Sequence, residues 1–197
     1  MAAYSQAGTK TMSDQQSNHG ELEELHSFQH YAFGNSARDL QVEAGSRKGY
    51  ERMNEAMPFT GLEANEKHYL ARRDSFYLAT VGENGWPYVQ HRGGPAGVLR
   101  VLDDHHLAFP DYSGNKQFIS VANVSDGSPV SLILVNYASR ERLKIWARAT
   151  VRRAGEAPEL VAQLTDPEYA AKIERIFLLE VVAIDWNCPK HITSRNK

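Results

Sequence analysis

Cysteine is almost missing from this chain: Cys188 is the single one among 197 residues. No disulfide can form within the chain, which suits a reducing compartment. Also missing are a run of about 18 or more apolar residues and an N-terminal apolar core of the signal-peptide kind. The expectation is a cytoplasmic protein with no membrane partner. Surplus positive charge is absent too, with 22 Lys and Arg against 24 Asp and Glu, a net charge of -2 and a pI near 6.4. A nucleic-acid partner held by a bulk positive field is thereby disfavoured, so any anion site must be local. Neither a P-loop nor a G-x-G-x-x-G fingerprint occurs, and the nucleotide folds built on them lose their best support.

What is there is ordinary globular material, with 42% hydrophobic and 23% charged residues. The length fits one domain with appendages. Residues 1–20 are rich in Ser, Gln, Asn and Gly and read as a flexible tail that cannot bury enough surface to offset its ordering entropy. A helical segment, 21–73, follows. Leu22, Leu25, Phe28 and Phe33 recur at helical spacing up to Gly34 and Asn35. Ser46 can cap a helix that stops at Pro58, and a further helix spans about Glu63 to Arg73. His26 and His30 stand four apart, but without a third ligand they make no metal site.

From residue 74 the period shortens. FYLATV and WPYVQHR flank Glu83-Asn84-Gly85 and predict a hairpin with an Asn-Gly turn. VLRVL and HLAF follow, joined by Asp103-Asp104-His105, which reads as a solvated hairpin tip rather than a metal centre. GNKQFISVANV predicts a helix of about ten residues with Lys116 in its first turn. PVSLILVNY is a nearly continuous apolar strand. In RLKIWARATVRR, Leu143, Ile145, Ala147, Ala149 and Val151 alternate with Arg142, Lys144, Trp146, Arg148 and Arg152, so one side is core and the other a basic stripe. APELVAQLTDPEYAAKIE reads as helical with a break at Asp166-Pro167, and IFLLEVVAIDW as a strand apolar on both faces. Strands in succession with short turns argue for a mainly β fold, a six-stranded antiparallel barrel with flanking helices. Such a barrel has little interior room, so a cofactor would lie outside it, at a subunit groove.

The chemistry concentrates between Trp86 and Gln117. Arg92 offers a planar fork suited to phosphate, and Lys116 a point charge at the expected helix start. Gly93 and Gly94 can adopt backbone angles closed to other residues and let the main chain approach a ligand. Together they suggest an anion cradle.

FYLATVGENGWPYVQHRGGPAGVLRVLD, HLAFPDYSGNKQFISVANV, VSLILVNYASRERLKIWARATV and DWNCPKHI together resemble the pyridoxamine 5'-phosphate oxidase-like flavin-nucleotide-binding proteins, over about Ser46 to Ile192. The resemblance implies an FMN-binding split β-barrel over residues 74–197, with FMN at the interface of a homodimer and a C-terminal element covering the cofactor. It places Gln90, His91, Arg92 and Gly93 on the strand passing the flavin ring and phosphate, and Asn115, Lys116 and Gln117 in a phosphate-gripping turn. Asp111 and Tyr112 fall at the cofactor edge. Arg142 and Lys144 lie on a strand that reaches FMN from the second subunit, and Trp186 and His191 in the element over the isoalloxazine. The implied function is an FMN-dependent oxidoreductase acting on a small molecule. A non-catalytic flavin- or haem-binding carrier or sensor is the alternative. The chain ends in WNCPKHITSR instead of the Arg-Leu-His-Asp-Arg type signature that grips the vitamin phosphate, which argues against oxidation of pyridoxamine phosphate itself. His191 is the candidate proton donor, with a cofactor-orienting role favoured over it. Cys188 reads as a packed thiol in preference to a redox one.

Overall fold

The computed structural model describes residues 26–56, 58–187, 190–193 and 195. The expected tail at 1–20, the helix start at Leu22 and Leu25, and the environment of Cys188 lie outside these residues. Four helices come first: α1 (Phe28–Ala32), α2 (Asn35–Glu43), α3 (Arg47–Ala56) and α4 (Ala64–Ala71). α2 was not expected. None of its residues is buried, so it carries no apolar stripe for the sequence to display. α4 starts with a capping box in which Glu63 and Glu66 exchange side-chain bonds with each other's backbone N–H groups.

The strands are β1 (Ser75–Val81), β2 (Pro87–Gly93), β3 (Arg100–Val101), β4 (His106–Tyr112), β5 (Ser128–Asn136), β6 (Glu141–Arg153) and β7 (Ile173–Asn187). They form one antiparallel sheet in the order β2-β1-β5-β6-β7-β4-β3. The seventh strand, β3, is two residues long. The β1–β2 turn is the Asn-Gly turn expected, with Gly85 at φ 80°.

The ladder is not closed by backbone bonds, because β2 and β3 stand at its two ends. It nevertheless curls around one core. Phe76 of β1 and Phe109 of β4 are separated by three strands in the sheet, yet their rings meet edge to face at 5.0 Å. Phe109 stacks on Phe177 at 4.6 Å. Leu78, Leu107, Leu134, Leu143, Ile145 and Leu179 belong to the same fully buried interior. In β6 the alternation predicted from sequence is the alternation found, with Leu143, Ile145, Ala147 and Ala149 buried.

β7 is apolar on both faces for two reasons. α6 (Pro158–Leu164) covers its first half from outside, where Leu164, Ile173, Ile176 and Ala108 make a second small core. A bulge at Val182 then reverses the parity of its second half: Val181 is paired with Ala147, whereas Ala183 is paired with Trp146. Val181 and Leu179 therefore point inward before the bulge, Ile184 and Trp186 after it. The segment after α6 is not helical beyond Leu164.

The expected ten-residue helix after Gly114 is a single turn, α5 (Ile119–Ala122). Lys116 and Phe118 both take left-handed backbone angles, at φ 59° and 53°, which no right-handed helix contains. The Asn115 side chain accepts the Gln117 N–H at 3.2 Å and so competes with helical bonding. Lys116 is consequently in a loop and not in a helix's first turn.

α4 closes the end of the barrel where β5 passes to β6. Tyr69, Leu70 and Leu62 are buried there. The Tyr69 hydroxyl donates to the carbonyls of Leu134 and Glu141 at 3.2 and 3.4 Å.

Candidate functional site

At the other end, a cleft of about 90 Å³ opens between β2, the last residues of β4, the 113–118 loop and the start of β7. Its β2 wall is Tyr88, Gln90 and Arg92, which share one face because strand side chains alternate. Asp111 and Tyr112 come from β4, Asn115, Lys116 and Gln117 from the loop, and Arg175 from β7.

Arg92 reaches into the barrel and makes an ion pair with Asp111 at 2.7 Å, both side chains nearly buried at 14% and 10% exposure. β2 and β4 are not bonded to each other through the backbone, so this pair spans the gap that the ladder leaves open. The Arg92 guanidinium lies 5.3 Å from the Phe177 ring and 5.8 Å from that of Phe109. Its Nε is buried with no hydrogen-bond partner among the described residues. Arg175 stands directly opposite Asp111 on β7 and contacts its second carboxylate oxygen at 3.4 Å. It also contacts Glu174 at 3.3 Å and lies 4.5 Å over the Phe118 ring, which pins the loop to the sheet. Asp111 is thus held by two guanidiniums.

Around this pair the other polar groups are spent on construction. Ser120 is 1% exposed and donates to the Gln90 side-chain oxygen at 2.8 Å, tying α5 to β2. Asn123 donates to Thr80 at 3.0 Å and ties the same turn to β1. Burial pushes the Tyr112 hydroxyl above its ordinary value of 10.0, aided by Tyr169 and Asp166, so it is a neutral group at physiological pH. Among the described residues Lys116 has no ion-pair partner, and it is exposed at the mouth of the cleft. With Arg92 and Arg175 set against Asp111 and Glu174, Lys116 leaves the cleft one positive charge in excess. An anion is the ligand that complements it.

Of the residues singled out from sequence, the structure brings Gln90, Arg92, Asp111, Tyr112, Asn115, Lys116 and Gln117 around one cleft. The others lie elsewhere in the chain. His91 is on the opposite face of β2, its ring 5.5 Å from that of Tyr77. Gly93 pairs with Ser75 at the end of β2, and neither it nor Gly94 has a positive φ. Gly94 is glycine for internal packing: a Cβ there would fall 2.8 Å from Val98. Arg142 donates to Asn187 at 3.1 Å and Lys144 pairs with Asp185 at 3.4 Å, both on the outer face. Trp186 points inward, meets the Tyr69 ring at 4.8 Å and donates from Nε1 to Glu66 at 2.7 Å. His191 is exposed and left-handed at φ 62°. Sequence reasoning missed Arg175 and Ser120. The pairing of Asp111 with Arg175 is a matter of register, which no local pattern displays, but Ser120 on the buried side of a short turn was open to discovery.

The family model for pyridoxamine 5'-phosphate oxidase matches residues 62–185. No curated protein matches the chain. Among solved structures, the chain is similar to HupZ of Group A Streptococcus (13% identity, 68% of this chain and 100% of that one, TM-score 0.49). It is also similar to an FMN-binding protein from Syntrophomonas wolfei (12% identity, 75% and 97%, TM-score 0.45). A third is the FAD binding protein from Mycobacterium smegmatis (12% identity, 65% and 95%, TM-score 0.43).

Proposed function

The chain belongs to the pyridoxamine 5'-phosphate oxidase family, and from that premise we propose that it binds FMN in the cleft between β2 and β4 and serves as an FMN-dependent oxidoreductase for a small molecule. The observation that carries this reading is the convergence of seven candidate residues, from β2, β4 and the loop after it, on one cleft whose charge is unbalanced by Lys116 alone. The residues fit the phosphate end of FMN. Lys116 would meet it as a point charge, with the Arg92–Asp111–Arg175 ion pairs fixing the wall behind it. A tricyclic ring does not fit within about 90 Å³, so it would lie outside this cleft, on the surface that a second copy completes.

A homodimer is part of the proposal. Its support is the outer face of β1, β2, β5 and β6, where Tyr77, Val81 and Val89 are 41%, 54% and 60% exposed beside Ile133 and Trp146. Arg142 and Lys144 border that face, so they would approach the partner's ligand and not their own. His191 would contribute in the same way from the partner copy, whereas Trp186 is held inward by Tyr69 and Glu66.

Bound FMN would supply the electron-carrying chemistry. The chain's own residues would bind and orient it: Lys116 and Arg92 by charge, Gln90 by a side chain already fixed through Ser120, and Tyr112 as a neutral hydroxyl at the rim. His191 is the candidate proton donor near the ring, with a cofactor-orienting role favoured over it. A cytoplasmic setting accords with the single cysteine. The test is the visible spectrum of the purified protein, with mass identification of whatever denaturation releases, followed by reduction with NADH or NADPH. Oxidised-flavin bands, released FMN and turnover with an acceptor support the proposal. A colourless protein that takes up no added FMN overturns it, and a flavoprotein that no donor reduces is a carrier or sensor.

A further inference from the structure

Toward the end of the barrel away from the cleft, β7 outruns its neighbour β4. The ladder between them stops at His106 and Glu180, so residues 182–187 have β6 on one side and, among the described residues, no strand on the other. α1, the 58–63 segment and the start of α4 stand along that open edge and border a cavity of about 350 Å³ against it. This is the size of a small-molecule site, and the flavin reading does not use it. Its walls are Phe28, Phe59, Ile184 and Trp186, with Met53, 43% exposed, at the mouth. The walls are tied in place by the protein itself: the Phe59 N–H donates to the His26 carbonyl at 3.2 Å, and the Gln29 side chain to the Tyr50 carbonyl at 2.9 Å.

Glu63, Glu66 and Asp185 also line this cavity, and no Lys, Arg or His does. Asp185 is paired with Lys144. Glu63 and Glu66 have no ion-pair partner among the described residues. Glu66 is 7% exposed, and its oxygens accept from the Trp186 indole and the Glu63 backbone N–H, both neutral donors. Its hydrogen bonds are satisfied and its charge is not. The start of α4 offsets roughly half an elementary charge, which two carboxylates exceed. A cation set against Glu66 would offset the cost of holding that charge away from water. A metal ion would meet aromatic walls where it needs oxygen ligands, and among the described residues no three acidic, His or Cys side chains are grouped to hold one. An organic acid would set like charge against Glu66, and a neutral ligand would leave it unpaired. Aromatic faces attract a cation and bury the apolar body behind it. We infer that the cavity binds an organic ammonium ion, its nitrogen toward Glu66 and Glu63 and its apolar body between Phe28, Phe59 and Trp186. This site goes beyond the flavin reading, and neither depends on the other.

The experiment is a calorimetric titration of the full chain with phenethylammonium, phenethyl alcohol and hydrocinnamate, which share an aromatic body and differ in charge. The ammonium should bind about tenfold tighter than the alcohol, the least that a charge-assisted bond adds, and the carboxylate should not bind. Glu66→Gln keeps an acceptor for the Trp186 indole and removes the charge, so the ammonium should lose about tenfold in affinity and the alcohol nothing. Met53→Arg places a cation at the mouth from the exposed side of α3. It should abolish ammonium binding without touching the core, and it carries the test if Glu66→Gln does not fold. Equal affinity for ammonium and alcohol overturns the site, as does the absence of ammonium binding to the native chain. So does an ammonium affinity that neither variant lowers. A change in the sedimentation of Met53→Arg overturns it too, by assigning the cavity to an interface between copies.

Discussion

The end of the barrel closed by α4 and the end that holds the cleft each lay an arginine over aromatic rings, and they treat it differently. Arg73 sits 4.9 Å over Tyr69, and Arg92 5.3 Å over Phe177; the Nε of each is buried without a partner among the described residues. Near α4 the remaining polar groups close on themselves. Tyr69 bonds two backbone carbonyls and Trp186 bonds Glu66, and α4 itself begins in a capping box. At the cleft, ion pairs accumulate among Arg92, Asp111, Arg175 and Glu174, the adjoining loop carries left-handed residues, and Lys116 is left over. One end is built for closure. The other holds positive charge in reserve, and such departures from local satisfaction concentrate where ligands bind.

The strongest test of this contrast is Arg92→Ala. Removing one member of a nearly buried ion pair that spans the open ladder should cost about 3–5 kcal/mol of folding stability, measured by urea unfolding, because Asp111 then keeps only its longer contact with Arg175. A loss confined to ligand affinity would show that Arg92 belongs to the site and not to the closure. Lys116→Ala should do the reverse. FMN affinity falls by the equivalent of about 1.5–3 kcal/mol, the range for a charge-assisted bond, in an equilibrium titration. The unfolding midpoint stays where it was, since an exposed side chain without a partner is lost.

Tyr69→Phe tests the closed end. It should cost about 1 kcal/mol at neutral pH through the lost hydrogen bonds, with ligand affinity unchanged. Burial holds the Tyr69 hydroxyl above its ordinary 10.0, against the pull of Arg73. Its contribution is therefore fully present below pH 10 and is lost as pH rises through the folded-state value, so the alkaline slope of native stability should be shallower in the variant. The smallest effect belongs to Asp103→Asn at the exposed hairpin tip. Backbone N–H donation from His105, with His106 adding to it, holds the Asp103 carboxyl below its ordinary 3.8. That stabilisation is present above 3.8 and lost as pH falls through the lower folded value. Parent and variant should therefore differ slightly in stability at neutral pH and converge in acid, as pH falls below that value.

The strands, the Asn-Gly hairpin and the inward set of β6 were legible from periodicity alone, because a half-buried strand must alternate and a tight hairpin needs particular turn residues. The motif between Trp86 and Gln117 was legible as anion chemistry, since Arg, Lys and Asn are the side chains that supply it. The helix after Gly114 was misread because an apolar stripe shows that a helix could be buried, not that the chain before it can enter one. Lys116 and Phe118 adopt angles stabilised by Asn115 and by the Phe118 contact with Arg175.

The sequence by itself determined which consecutive segments fold back as hairpins and which side chains have the chemistry for phosphate, because both follow from local pattern and residue type. Only the tertiary structure decided what those side chains meet. Arg92 finds Asp111 because the sheet curls until the ends of its ladder face each other, a long-range closure that no window of residues records. Trp186 turns inward to Glu66 because one bulge at Val182 reverses the parity of β7, and a period of two leaves no trace of where it is reset.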